Sequence, residues 1–169
     1  MFIFAYGSNM LLQKLKVNVP SARKVANACL REYRFAFNKI SRKDGSAKGN
    51  IMPTGKGEDA VWGVLFDIED RDKQALDKEE GLGKGYNEIV ISIATIDNKI
   101  VNALAYIADK SAIQDSLLPF DWYRDMVVIG AARNELPERY IDELRKFPFR
   151  ADNDEERRCR KYSMIQIED

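Results

Sequence analysis

The chain has 169 residues, 45% of them hydrophobic and 32% charged, which is the balance of one folded domain with a real core. Its 27 basic and 27 acidic side chains cancel, and no lysine/arginine block precedes Arg157, which argues against nucleic acid as a partner. Histidine is absent, so Ser-His-Asp and Cys-His nucleophile systems and His-ligated zinc are excluded, and proton transfer near neutral pH falls to Glu, Asp, Lys, Tyr or Cys.

Two cysteines, Cys29 and Cys159, are too few for a cysteine-only zinc site, and without a secretory segment reduced thiols are expected. Cys29 sits in an apolar stretch and reads as a small packing residue. The apolar start Met1-Phe2-Ile3-Phe4-Ala5 is too short for a signal-peptide core, and no run is long enough to span a bilayer. The expectation is a cytoplasmic protein without a membrane partner.

Phe2–Ala5 reads as a short buried strand that breaks at Tyr6-Gly7-Ser8-Asn9, followed by a short helix over 10–15 and a turn at Asn18-Val19-Pro20-Ser21. Residues 28–38 read as one strand, with Tyr33, Phe35 and Phe37 on one face and Arg34 and Ala36 on the other. The polar stretch 41–50 reads as a loop, Ile51-Met52-Pro53 as a brief apolar return, 55–59 as a turn and 60–68 as a strong strand. A helix is expected over 70–80, with Asp70 as its N-cap and Gly81 as its stop. Strands over 89–96 and 100–107 meet at an Asp97-Asn98 turn, and helices cover 120–133 and 137–146, with Pro137 near the start of the second. Strands mostly first and helices mostly last suggest an α+β or mixed α/β domain with a curled, mostly antiparallel sheet. The unit spans 1–149. The charge-rich tail 150–169 reads as a solvated segment, with Tyr162, Met164 and Ile167 as the residues able to dock.

Two places could carry chemistry. The strand–turn–helix corner at Tyr6-Gly7-Ser8-Asn9 exposes backbone N–H groups to a small anion, and Gly7 lets main chain approach a ligand; equally, Gly, Ser and Asn are plain turn residues, and Ser8 or Asn9 can cap the next helix. Glu80 ends the 70–80 helix four residues after Leu76, on the same stripe, whereas Glu79 stacks over Ala75. The helix C-terminus and the Glu79 charge would both raise its pKa, as suits a group that accepts and returns a proton; a charged helix end fraying into water fits the same residues. Tyr86 and Tyr123 are core aromatics or hydroxyl donors at a pocket rim. Lys84, in Gly81-Leu82-Gly83-Lys84-Gly85, lacks the spacing and following Ser/Thr of a phosphate-binding loop.

Taken in order, Phe4-Ala5-Tyr6-Gly7-Ser8-Asn9, Asn18-Val19-Pro20-Ser21-Ala22, Val61-Trp62-Gly63-Val64, Leu76-Asp77-Lys78-Glu79-Glu80-Gly81, Tyr86, Tyr123 with Ile129-Gly130-Ala131, and Leu136-Pro137-Glu138-Arg139-Tyr140 resemble the γ-glutamylcyclotransferase family. The resemblance covers nearly the whole chain up to about Phe147. It implies an α+β fold with a small mixed, mostly antiparallel barrel-like sheet flanked by helices.

By the same resemblance Glu80 is the acid/base, and Ile3, Phe4, Ala5, Tyr6, Gly7, Ser8 and Asn9 hold a γ-glutamyl group, largely by backbone, with Tyr86 and Tyr123 beside it. The implied reaction forms 5-oxoproline from a small-molecule γ-glutamyl substrate with no cofactor or metal, in a monomer or homodimer. Three alternatives stay open for the substrate and role: a γ-glutamyl amine such as ε-(γ-glutamyl)lysine, an antibiotic side chain, and a non-catalytic γ-glutamyl-binding module. Loops 41–50 and 108–118 would bound the leaving-amine side.

Overall fold

In a computed structural model, which describes residues 1–166, five strands close into a barrel in the order β1-β5-β2-β6-β7. These are β1 (Phe2–Ala5), β2 (Arg23–Arg31), β5 (Ala60–Asp67), β6 (Tyr86–Thr95) and β7 (Ile100–Ala108). Neighbours are antiparallel except at the closing seam, where β1 runs parallel to β7 through Ile3 and Leu104. The mixed, mostly antiparallel barrel expected for the chain is therefore borne out. Closure leaves no free edge in the main sheet. The barrel core is apolar, with Val61, Val64, Leu65, Phe66 and Ile93 all under 2% exposed.

A separate hairpin of β3 (Tyr33–Ile40) and β4 (Ala47–Pro53) packs against β5 and β7. Two expectations change here. The run over 28–38 is two strands, broken at Glu32, whose φ of 64° turns the chain out of one sheet and into the other. The polar stretch 41–50 is a loop only as far as Ser46; from Ala47 it is the start of β4. The predicted aromatic face does form: Phe35 and Phe37 meet edge to face at 4.8 Å, and Phe147 closes on both.

Among the described residues five helices flank the sheets: α1 (Leu12–Lys16), α2 (Lys73–Glu80), α3 (Asp121–Arg133), α4 (Glu138–Arg145) and α5 (Glu155–Gln166). Gly81 stops α2 in the left-handed conformation (φ 71°, ψ 46°), as its sequence position predicts. Asp70 does not cap it; a 3-10 turn over Asp70–Asp72 precedes the helix, and Asp72 instead accepts from the Ser21 amide and hydroxyl. Asn98 makes the β6–β7 turn at φ 60°.

Within the segment read as a solvated tail, residues 155–166 form a docked helix. Arg157 pairs with the buried Asp152, Arg158 with Asp121 at 2.6 Å, and Tyr162 donates to Asp125 at 2.8 Å, while Ile165 is 4% exposed against α3. Tyr162 and Met164 pack as expected, and Ile167 lies outside the described residues. Cys29 is buried and Cys159 exposed, and they are not bonded to each other. No helix among the described residues is long and apolar enough to cross a membrane.

Candidate active site

The barrel brings the two chemically suggestive places together. One pocket is lined by Ile3, Phe4, Ala5, Tyr6, Gly7, Ser8 and Asn9 from the β1 corner, and by Glu80, Tyr86 and Tyr123 from three other elements. Every residue singled out in the sequence as a site candidate is on its wall. Gly49, Leu76 and Tyr106 complete it, and none of these three was marked for the site by its sequence.

The corner is built by the register of β1. Ala5 pairs with Val64, the ladder ends there, and a 3-10 turn over Ser8–Met10 follows. The N–H groups of Gly7, Ser8 and Asn9 find no protein acceptor among the described residues, which leaves three donors at the pocket. Gly7 has φ −114°, so no left-handed turn requires it, and a Cβ there would make only ordinary contact, 3.7 Å from the Tyr123 hydroxyl. Ser8 and Asn9 do not cap a helix either. The Asn9 amide donates to Glu80 Oε1.

Glu80 arrives on the last turn of α2, four residues after the fully buried Leu76, so the helical stripe inferred from the sequence does aim it inward. Its carboxyl pKa is raised, chiefly by burial and secondarily by Glu79. Opposing this are the Lys14 ammonium, the Asn9 hydrogen bond and the Lys39 ammonium. Of the two local causes expected from the sequence, the Glu79 charge acts; burial, the main cause, follows from the inward stripe, and both lysines are brought in by the tertiary packing. Lys14 Nζ donates to Asn9 Oδ1 at 2.5 Å, which turns the amide NH2 towards Glu80. Oε2 of Glu80 takes no hydrogen bond from the described residues.

The tyrosines form the opposite wall. Tyr86 donates to the Gly49 carbonyl at 2.5 Å, and the Gly49 N–H donates to the Tyr123 hydroxyl at 3.1 Å, so one β4 residue holds both rings. The Tyr6 hydroxyl donates to the Tyr106 carbonyl. Burial pushes the phenols of Tyr6, Tyr86 and Tyr123 up, that of Tyr123 to about 12, so all three stay protonated at neutral pH.

Behind this wall, Asn50 donates to Asn38, accepts from the Ala108 N–H, and Asn38 donates to Asp115, tying the hairpin to β7 and to loop 108–118. Helix α2 is held by Tyr106 donating to Asp77 at 2.6 Å and by Lys73, which bridges Asp77 and Glu88. Among the described residues no group of three or more Cys, Asp or Glu side chains is placed to hold a metal ion.

The arrangement is a half-buried carboxyl with one free oxygen, three unpaired backbone donors and a wall of neutral phenols. It can accept and return a proton next to a bound anion.

Comparison with known proteins agrees with the motif resemblance. Human γ-glutamylcyclotransferase is 28% identical over 152 residues, which cover 84% of this chain and 76% of the human protein. The mouse γ-glutamylcyclotransferase is 29% identical over 145 residues, with the same coverage. A solved γ-glutamyl cyclotransferase superposes with a TM-score of 0.84 over 98% of both chains at 23% identity, and YkqA of Bacillus subtilis with 0.71 over 89% of this chain and 56% of its own. The AIG2-like family model matches residues 60–144, a span running from the start of β5 through Glu80, Tyr86 and Tyr123 into α4, and the chain belongs to the AIG2-like family.

Proposed function

We propose that the protein is a γ-glutamyl cyclotransferase: it converts a γ-glutamyl amino acid or amine to 5-oxoproline and the free amine, with Glu80 as acid/base. The observation that carries this reading is the shared pocket, in which a carboxyl raised by burial faces the Gly7-Ser8-Asn9 donors. The γ-glutamylcyclotransferase names of the human and mouse relatives support the same chemistry.

An α-amine has a pKa of roughly 8, so at neutral pH it is mostly protonated and must lose a proton before it can attack. Glu80 takes that proton, Oε2 being the oxygen free of protein partners. The amine nitrogen then bonds to the donor's own side-chain carbonyl carbon, sheds its second proton to water and closes the five-membered lactam. Glu80 returns the proton to the departing nitrogen as the old amide bond breaks, because an amide anion is a poor leaving group.

The pocket also enforces geometry. Ring closure needs the glutamyl chain folded back on itself, and a wall fixed by Tyr6–Tyr106 and Tyr86–Gly49 hydrogen bonds selects that conformer. The corner N–H groups hold anionic oxygen of the substrate. A panel of γ-glutamyl amino acids and γ-glutamyl amines, assayed chromatographically for 5-oxoproline, tests the reading. Lactam formation from at least one donor class is expected. Ligand-induced thermal stabilisation with the donor recovered intact would make the protein a binder instead.

A further inference from the structure

Lys39 is the penultimate residue of β3, and only 8% of it is exposed. Its ammonium stands 4.6 Å from the centre of the Tyr86 ring, over its face. The 81–85 loop is shaped around it: Gly85 has φ +126°, and a Cβ there would come to 3.0 Å of Lys39 Cε and 3.3 Å of Nζ. Its ladder neighbour is Lys48, next to the Gly49 that holds both site tyrosines.

The other half-buried lysines around the site have polar partners. Lys48 pairs with Asp44 at 2.9 Å, Lys73 with Asp77 and Glu88, and Lys14 with the Asn9 oxygen. Lys39 does not: among the described residues no carboxylate lies within 4 Å of its ammonium and no acceptor takes its hydrogens. The ammonium keeps contact with water and has a ring face but no anion beside it, so a carboxylate can join it without displacing a protein partner. The charges that act on it are Glu80 first, then Arg42, Asp44 and Lys43, so it lies within electrostatic reach of the reacting position, on a rim that carries further cations. Arg42, Lys43 and Asp44 lie in the turn between β3 and β4, and Gly85 in the loop after α2.

We propose that Lys39, which stands beside the pocket over the ring of Tyr86 rather than on the pocket lining, is a specificity-determining residue: its ammonium receives a carboxylate on the leaving amine, so that donors of an amino acid are preferred over donors of an amine without one. For its donors this rests on the cyclotransferase reading above. It adds which leaving groups are selected and by which side chain.

The test compares γ-glutamyl-alanine with γ-glutamyl-alanine amide, which differ only in that carboxylate. The wild-type protein should favour the carboxylate donor in kcat/KM by about tenfold to a hundredfold, the range of one charge-assisted hydrogen bond. In Lys39→Met the preference should collapse, through a raised KM for the carboxylate donor, and in Lys39→Arg part of it should return. A Lys39→Met protein that keeps the wild-type preference, or that loses both donors in equal measure, overturns the proposal.

Calorimetric binding of the same two donors to Glu80→Gln and to Glu80→Gln with Lys39→Met separates the two claims. If no lactam ever forms but the carboxylate donor still binds more tightly in a Lys39-dependent way, the reaction assignment fails and the role of Lys39 stands. If the two donors bind alike, the role of Lys39 fails whatever the chemistry.

Discussion

Gly63→Ala should unfold the protein at a markedly lower temperature. Gly63 lies in β5 opposite Ala28 of β2, and its neighbour Val64 is the ladder partner of Ala5. An added Cβ would run into the Ala5 carbonyl oxygen and would stand 2.8 Å from Phe4 Cζ and 2.9 Å from Phe4 Cε2. Neither obstacle can step aside cheaply, since the first is backbone in the barrel ladder and the second is a core ring only 3% exposed. Forcing an extra carbon into such packing costs typically about 1–3 kcal/mol, and two rigid obstacles put this site near 3.

For a chain of 169 residues, each kcal/mol lowers Tm by about 2–4 °C, so a drop of about 6–12 °C is expected. Thermal unfolding followed by circular dichroism reads it, with Gly57→Ala as the control because nothing lies within 4 Å of a Cβ there. The same displacement moves Phe4 and Ala5, which line the pocket, so any cyclising activity should fall with the stability. A Gly63→Ala protein melting within about 2 °C of the Gly57→Ala control would refute the packing argument.

Three further outcomes are expected. Tyr86→Phe strips the buried Gly49 carbonyl of its donor and should cost about 1–3 kcal/mol, read as a lower urea midpoint; an unchanged midpoint would contradict the role given to that bond. The acid limb of kcat/KM against pH should lie above the ordinary carboxylate range, because burial raises the Glu80 pKa and the base must be ionised to act. Lys14→Met removes the cation that holds it down and should move the limb further up, and a limb that moves down would show the sign to be wrong. Asp152→Ala leaves the Trp122 indole N–H, now bonded at 2.8 Å, without an acceptor and cuts the Arg157 pair. Stability should fall by about 1–3 kcal/mol and amide protection across α5 should be lost, whereas full protection would mean that α5 does not depend on this anchor.

The parts legible in the sequence are those where local and tertiary demands agree. The β1 corner, Gly81 at the end of α2, the Leu76-to-Glu80 stripe and the aromatic face of β3 all follow from spacing and turn chemistry, and all sit where the spacing puts them. Glu32 hid the break between β2 and β3, because glutamate does not advertise a left-handed backbone; only the two sheets it separates require it.

The start of β4 hid for another reason. Its buried positions include Asn50, 0% exposed, whose stability comes from partners 12 and 58 residues away rather than from an apolar period. Gly49 went unseen with it. The α5 helix docks through Arg157, Arg158 and Tyr162 onto buried or half-buried acids, so its composition resembles a solvated surface. The Leu76-to-Glu80 stripe points Glu80 inward, but the depth of its burial and the approach of Lys14 and Lys39 come from elements distant in the chain.

The central claim is that one carboxyl in this pocket carries the proton. Glu80→Gln keeps the Oε1 acceptor for Asn9 and the shape of the side chain while removing the base. Measured beside Glu79→Gln, whose residue is exposed at the helix edge, it should show normal folding and no 5-oxoproline release, with the Glu79 variant still active. Turnover retained in Glu80→Gln and lost in Glu79→Gln would contradict the account.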